Sequence, residues 1–148
     1  MLTIHAASAV RRTWDAEPVA DGGIAVEGDR IVAVGPLTEI REWFPDARVR
    51  TWPGTLGPAL VHEGPLPQAP SPRERVHEVL KRGAAAVLAE HADGPELRAA
   101  AARNGVAVLD RARSVAVTEG GRADLAAFTE DGRCVATVVG GRLVHRRA

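Results

Sequence analysis

The stretch Thr55-Leu-Gly-Pro-Ala-Leu-Val-His-Glu-Gly-Pro-Leu-Pro67 decides how this chain is organised. Before it lies a run of short strand-like segments. After it, helix and strand patterns alternate. The stretch is therefore the joint between two kinds of structure.

Upstream, Leu2 to Arg12 reads as one or two short strands with Leu2, Ile4 and Val10 as apolar positions, and Trp14 to Asp21 reads as a loop. Ile24–Glu27 and Arg30–Val34 flank Gly28-Asp29, a two-residue turn that tolerates positive φ, and predict a hairpin. Leu37 to Trp43 predicts a short helix. Arg48 to Trp52 alternates and predicts a strand that Pro53-Gly54 would stop. Downstream, Ser71-Pro-Arg-Glu74 is a capping box with Pro at the first helical position, followed by Val76, Val79 and Leu80 on one helix face and Gly83 as the stop. Ala84 to Ala89 fits a buried strand. Gly94-Pro-Glu-Leu opens a second helix, Asn104-Gly105 ends it, and Val106 to Leu109 fits a second buried strand. With Leu60-Val61 these segments make β-α-β-α-β, in which parallel strands require right-handed crossovers. At the far end, Val115–Val117, Leu125–Phe128 and Val135–Val139 read as strands, and Asp131-Gly132 and Gly140-Gly141 as turns.

Composition excludes several classes. Net charge is zero, with 19 basic and 19 acidic side chains, so no surplus points to nucleic acid or to a cation store. Every basic residue except Lys81 is arginine, which reads as genomic composition rather than phosphate recognition. Cys134 is the single cysteine and lies in the apolar run Cys134–Val139, as expected of a buried, inert thiol. No stretch approaches the ~18 apolar residues of a membrane span, and Met1–Ile4 lacks a charged leader region, so a cytoplasmic protein is expected. There is no Gly-x-Gly-x-x-Gly, Walker loop, Cys-x-x-Cys or Gly-x-Ser-x-Gly.

The order of strand, Gly22–Gly35 hairpin, short helix, strand and Pro58-Ala-Leu-Val61 resembles the N-terminal half of the composite β-sandwich of the amidohydrolase superfamily, in the manner of imidazolonepropionase and aminodeoxyfutalosine deaminase. Ser114–Phe128, with its Ala123-Asp-Leu125, and Val138–His145 resemble the closing segments of the same sandwich. The two matches cover roughly residues 2–66 and 112–147. The resemblance implies an α+β fold in which residues 1–57 and 112–148 interleave as a composite β-sandwich. It also implies that 58–111 is a small β-α-β-α-β layer where relatives carry a barrel of about 250 residues.

In the family, Pro-Gly-Leu-Val-Asp-x-His-x-His supplies two metal-binding histidines. Aligning Leu60-Val61 with that Leu-Val puts His62 on the Asp, Gly64 on the first His and Leu66 on the second. Neither Gly64 nor Leu66 can bind a metal. The family's barrel lysine, later histidines and late aspartate have no matching positions, and Asp124 falls on a structural residue.

Five side chains remain as a candidate pocket or metal set: His62, Glu63, Glu90, His91 and Asp93. They follow neighbouring parallel strands on one sheet edge, where open α/β sheets bind ligands, and N/O donors of this kind suit zinc. Against this, His62 and Glu63 are chain neighbours that point opposite ways, and Asp93 or Gly94 is a natural helix cap. His77 is expected exposed, and His5 and His145 at the sandwich edge.

The favoured reading is thus a non-catalytic structural or binding module with no metal and no cofactor. The alternatives are a zinc-dependent hydrolase of cyclic C–N bonds that uses those five residues, and a small-ligand binding protein with the same pocket. No nucleic acid or membrane partner is expected. A three-stranded parallel sheet rich in alanine buries little area and leaves a face and edges to cover, so a homodimer through 58–111 is expected, with a partner enzyme as the alternative occupant.

Overall fold

The computed structural model describes residues 2–147. It is a mixed α+β structure with one seven-stranded mixed sheet and one three-stranded parallel sheet. In chain order the elements are β1 (Leu2–Val10), β2 (Val19–Glu27), β3 (Arg30–Pro36), α1 (Leu37–Trp43), β4 (Arg48–Pro58), β5 (Leu60–His62), α2 (Pro72–Lys81), β6 (Ala84–Leu88), α3 (Pro95–Arg103), β7 (Ala107–Leu109), β8 (Leu125–Phe128), β9 (Cys134–Val139) and β10 (Arg142–Arg146). A single 3-10 turn, Ala89–His91, follows β6.

The large sheet runs β10-β9-β8-β4-β1-β2-β3. The hairpin forms as its turn dipeptide requires: Glu27 pairs with Arg30, and Gly28 takes φ +61°. β1 pairs antiparallel with β2 and parallel with β4, so β2, β3 and α1 form the crossover between two central strands. β4 then pairs antiparallel with β8, from Thr55↔Phe128 to Pro58↔Leu125. That ladder is where the two halves of the chain join. The sheet is continuous and curls back on itself. The start of β3 meets the segment before β8 through Ile31 N–H to Gly121 O at 2.9 Å, Gly120 N–H to Ile31 O at 2.8 Å and Ala123 N–H to Asp29 O at 2.8 Å. The enclosed core takes Val10, Ile24 and Leu56 from one chain half and Val117, Leu125 and Val138 from the other. Each such side chain contributes ~1.5–3 kcal/mol by leaving water.

Four local readings are corrected. β2 begins at Val19, so the end of the Trp14–Asp21 segment read as a loop is strand, paired with the end of β1. Pro53-Gly54 does not stop β4; it forms a bulge, with Ala7↔Trp52 followed by Ala9↔Thr55, and the strand continues to Pro58. Gly54 takes φ +83°, and a Cβ there would lie 2.0 Å from the Phe128 carbonyl oxygen, so only glycine lets β4 and the end of β8 approach. Val115–Val117 is not a strand: the segment makes one backbone bond, Val117 N–H to Arg12 O at 2.7 Å, while Val117 is buried. β7 is half-buried rather than buried, because it is the edge of the small sheet.

The small layer is the expected β-α-β-α-β, with parallel pairs β5·β6 and β6·β7. Ser71 caps α2: its hydroxyl accepts from Glu74 N–H at 3.2 Å and donates to the Glu74 carboxylate at 3.0 Å. Val76, Val79 and Leu80 of α2 and Leu97, Ala100 and Ala101 of α3 pack with Ala85 and Val87 of β6. The alanines bring helices and strand close together, and all five residues of β6 are buried. Val139 of β9 joins this core, and Thr137 donates to the Leu80 carbonyl at 2.7 Å in a buried contact. The small layer is thereby fastened to the large sheet. A third cluster, Ile4, Ala25, Ala33 and Ile40, seats α1 on the sheet's other face.

Candidate functional site

The topology puts the five candidate residues where the strand order predicts. β5 and β6 are parallel neighbours, His62 ends β5, and Glu90 and His91 lie on the turn after β6. The structure does not gather them into a ligand set. Among the described residues, no group of three or more His, Cys, Asp or Glu side chains is placed to hold a metal ion. His62 Nε2 donates to the Pro65 carbonyl at 2.9 Å, within its own loop. His91 Nε2 lies 3.9 Å from Glu90 Oε1, and that glutamate is largely exposed. Glu63 and Asp93 are exposed, and the cap of α3 is Gly94, with no side-chain hydrogen bond.

The loops at this edge are held by arginine and carbonyl groups. Arg75 of α2 donates to the Pro67 and Leu66 carbonyls, both at 3.1 Å, and Arg98 of α3 donates to the Ala92 carbonyl at 3.0 Å. Leu66 is 2% exposed and packs with the α2–α3 core. The zinc that the family resemblance implies does not fit this chain: Gly64 offers no side-chain donor, and Leu66 is an apolar core residue.

Asp124 has a structural task. Its Oδ1 accepts from Gly140 N–H at 2.8 Å and faces Arg122 Nε at 3.3 Å, fixing the β9–β10 turn. Beside it, a crevice of about 190 Å³ lies between the two sheets, lined by Pro58, Leu60, Ala86, Arg113, Ser114 and Asp124. Cys134 is buried as expected, and burial pushes its thiol pKa up.

His5 is the group that sequence reading misplaced. It lies on β1, a central strand, and is buried rather than at an edge. Trp52 Nε1 donates to His5 Nδ1 at 3.1 Å, and the two rings stack with centroids 6.3 Å apart. Burial first, and then the Arg50 charge, lower its pKa from 6.5 to about 4. Arg146 lies over the other ring system, 5.9 Å from the Trp52 centroid. The sequence signal is the Arg50-x-Trp52 alternation; the register His5↔Arg50 and Ala7↔Trp52 that brings it to β1 is long-range.

Residues 22–47, which hold the β2–β3 hairpin from Gly22 onward and α1, match the model of the imidazolonepropionase-like composite domain, bacteria. A guanine deaminase from Bradyrhizobium japonicum is similar in fold, with TM-score 0.54 and 15% identity over 73% of this chain and 34% of that one. So are an adenosine deaminase from Xanthomonas campestris with bound zinc (TM-score 0.52, 18% identity, 72% of this chain and 33% of that one) and the zinc complex of an atrazine chlorohydrolase from Arthrobacter aurescens (TM-score 0.52, 19% identity, 72% and 34%). No curated protein matches the sequence. The structural neighbours are thus deaminases and hydrolases of the amidohydrolase kind, and this chain spans about a third of their length. Within that class its likeness is to the imidazolonepropionase-like composite domain.

Proposed function

We propose that this protein is a non-catalytic relative of imidazolonepropionase-like amidohydrolases, acting as a structural or binding module. In this reading the curled sheet built from 1–57 and 112–148 serves as the composite β-sandwich, and 58–111 stands in for the barrel. The observation that carries it is Leu66. The position of the family's second metal histidine is a buried leucine in the core of the small layer. Restoring a ligand there would put a polar imidazole into an apolar core, which costs ~1–3 kcal/mol without a partner. The experiment is turnover of imidazolone and of adenine- and guanine-type substrates by the zinc-supplemented protein. No turnover above that of a heat-denatured sample is expected. Zinc-dependent turnover abolished by His62→Ala would overturn the reading in favour of a hydrolase.

The module reading includes a homodimer through 58–111. β5 and β7 are half-buried edge strands with one free side each, and such edges favour pairing with another chain. Light scattering at micromolar concentration should give twice the chain mass. A strict monomer would remove the dimer and leave a partner enzyme as the occupant of those edges.

A further inference from the structure

On the flank where α2 crosses β9 and β10 lies a groove of about 590 Å³. His77 and Lys81 come from α2, one helical turn apart; Arg133 precedes β9; His145, Arg146 and Arg147 lie on or just after β10. Among the described residues, no aspartate or glutamate side chain lines it. The nearest acids stand outside: Glu78 pairs with Lys81 at 3.2 Å on the rim, and Asp131, in the turn before β9, feels the Arg133 charge. Arg146 also lines the groove, and its guanidinium lies over the Trp52 ring, 5.9 Å from the centroid.

In a chain of zero net charge, this is a local excess of positive charge with a defined shape. The wall is firm, because the buried Thr137–Leu80 bond fixes the end of α2 against β9. The repulsion is felt by His145, whose Nε2 lies 3.4 Å from the Cys134 carbonyl. Burial chiefly lowers its pKa, the Cys134 carbonyl opposes this, and the charges of His77, Lys81 and Arg147 each add a smaller lowering. The groove's cations outnumber the acids beside them, Glu78 at Lys81 and Asp131 near Arg133, and this excess costs free energy that a multivalent anion would recover.

We infer that this groove binds a small phosphorylated ligand, a phosphomonoester or diphosphate, through Lys81, Arg133 and Arg147. Arginine forks and a lysine point charge suit phosphate oxygens. Among the described residues the lining has no Phe, Tyr or Trp platform; its only rings are the imidazoles of His77 and His145, so cationic recognition of phosphate outweighs base stacking and single-stranded nucleic acid is disfavoured. The site is remote from the β5–β6 edge, and the inference stands whether or not the protein hydrolyses anything.

The test is calorimetric titration of the full chain at low salt with inorganic pyrophosphate and, separately, with a short single-stranded RNA. One pyrophosphate per chain is expected, weakened about tenfold or more in the exposed double variant Arg133→Gln/Arg147→Gln and unchanged in Arg103→Gln on α3. Circular dichroism checks that the variants fold, and Lys81→Gln gives an independent second variant. The His145 ring proton resonance should titrate at higher pH with pyrophosphate present, because the anion offsets its cationic neighbours. Absence of saturable binding, equal affinity in the double variant, an unmoved His145 titration, or RNA binding tighter than pyrophosphate would each overturn the inference.

Discussion

Acidification should destabilise this protein through His5, starting above the pH range in which ordinary carboxylates protonate. In the folded state His5 is neutral: its Nδ1 accepts from Trp52, it is buried, and Arg50 opposes a further positive charge. Its pKa falls from 6.5 to about 4, whereas the unfolded chain takes up a proton near the ordinary value. Between those limits the unfolded state binds more protons, so stability falls as pH falls. The slope approaches ~1.4 kcal/mol per pH unit, the integrated loss is about 3 kcal/mol, and the effect levels off below about pH 4, where both states are protonated. Glu119, held near 2 chiefly by the Arg12 hydrogen bond, and His145 also titrate in or below this range. The difference between wild type and His5→Gln therefore isolates the effect, since glutamine keeps an acceptor for Trp52 but cannot take up the proton. Urea unfolding across this range should show wild type losing about 3 kcal/mol more than the variant. Parallel pH profiles, or a His5 ring that titrates near its ordinary value by NMR, would refute the reasoning.

Gly83→Ala should cost about 2 kcal/mol or more in urea unfolding: the backbone there has φ +86°, and a Cβ would lie 2.5 Å from the Phe128 ring. Ser71→Ala should cost about 1 kcal/mol, read the same way, by removing the cap of α2. The isolated fragment 1–57 should show no cooperative unfolding transition, because β4 loses its β8 partner and the core loses Leu125 and Val138.

Local chemistry made much of the fold legible. Gly28-Asp29 sets the hairpin, Ser71-Pro72 starts α2, and alternating helix and strand patterns give the parallel layer. Features decided by distant partners were not legible. Pro53-Gly54 reads locally as a breaker, yet β1 and β8 on either side carry β4 through it as a bulge. Val115-Ala-Val117 has strand alternation but finds no ladder. His5 near the start of the sequence looked peripheral, because nothing local says that β1 lies between β2 and β4. At the candidate site, the shared edge of His62 and His91 could be read from strand order. Their hydrogen bonds and separation could not, because these depend on Arg75 and Arg98 anchoring the loops. The cationic groove joins α2 to β10 across more than sixty positions, so composition alone had averaged it away.

The central claim is that the family's metal positions are lost here, Gly64 having no side-chain donor and Leu66 being packed into the core. Elemental analysis of the purified, dialysed protein tests it most directly. The account predicts no stoichiometric zinc, both in the wild type and in a His62→Ala/His91→Ala variant. About one equivalent of zinc per chain in the wild type, surviving dialysis and lost in that variant, would contradict it.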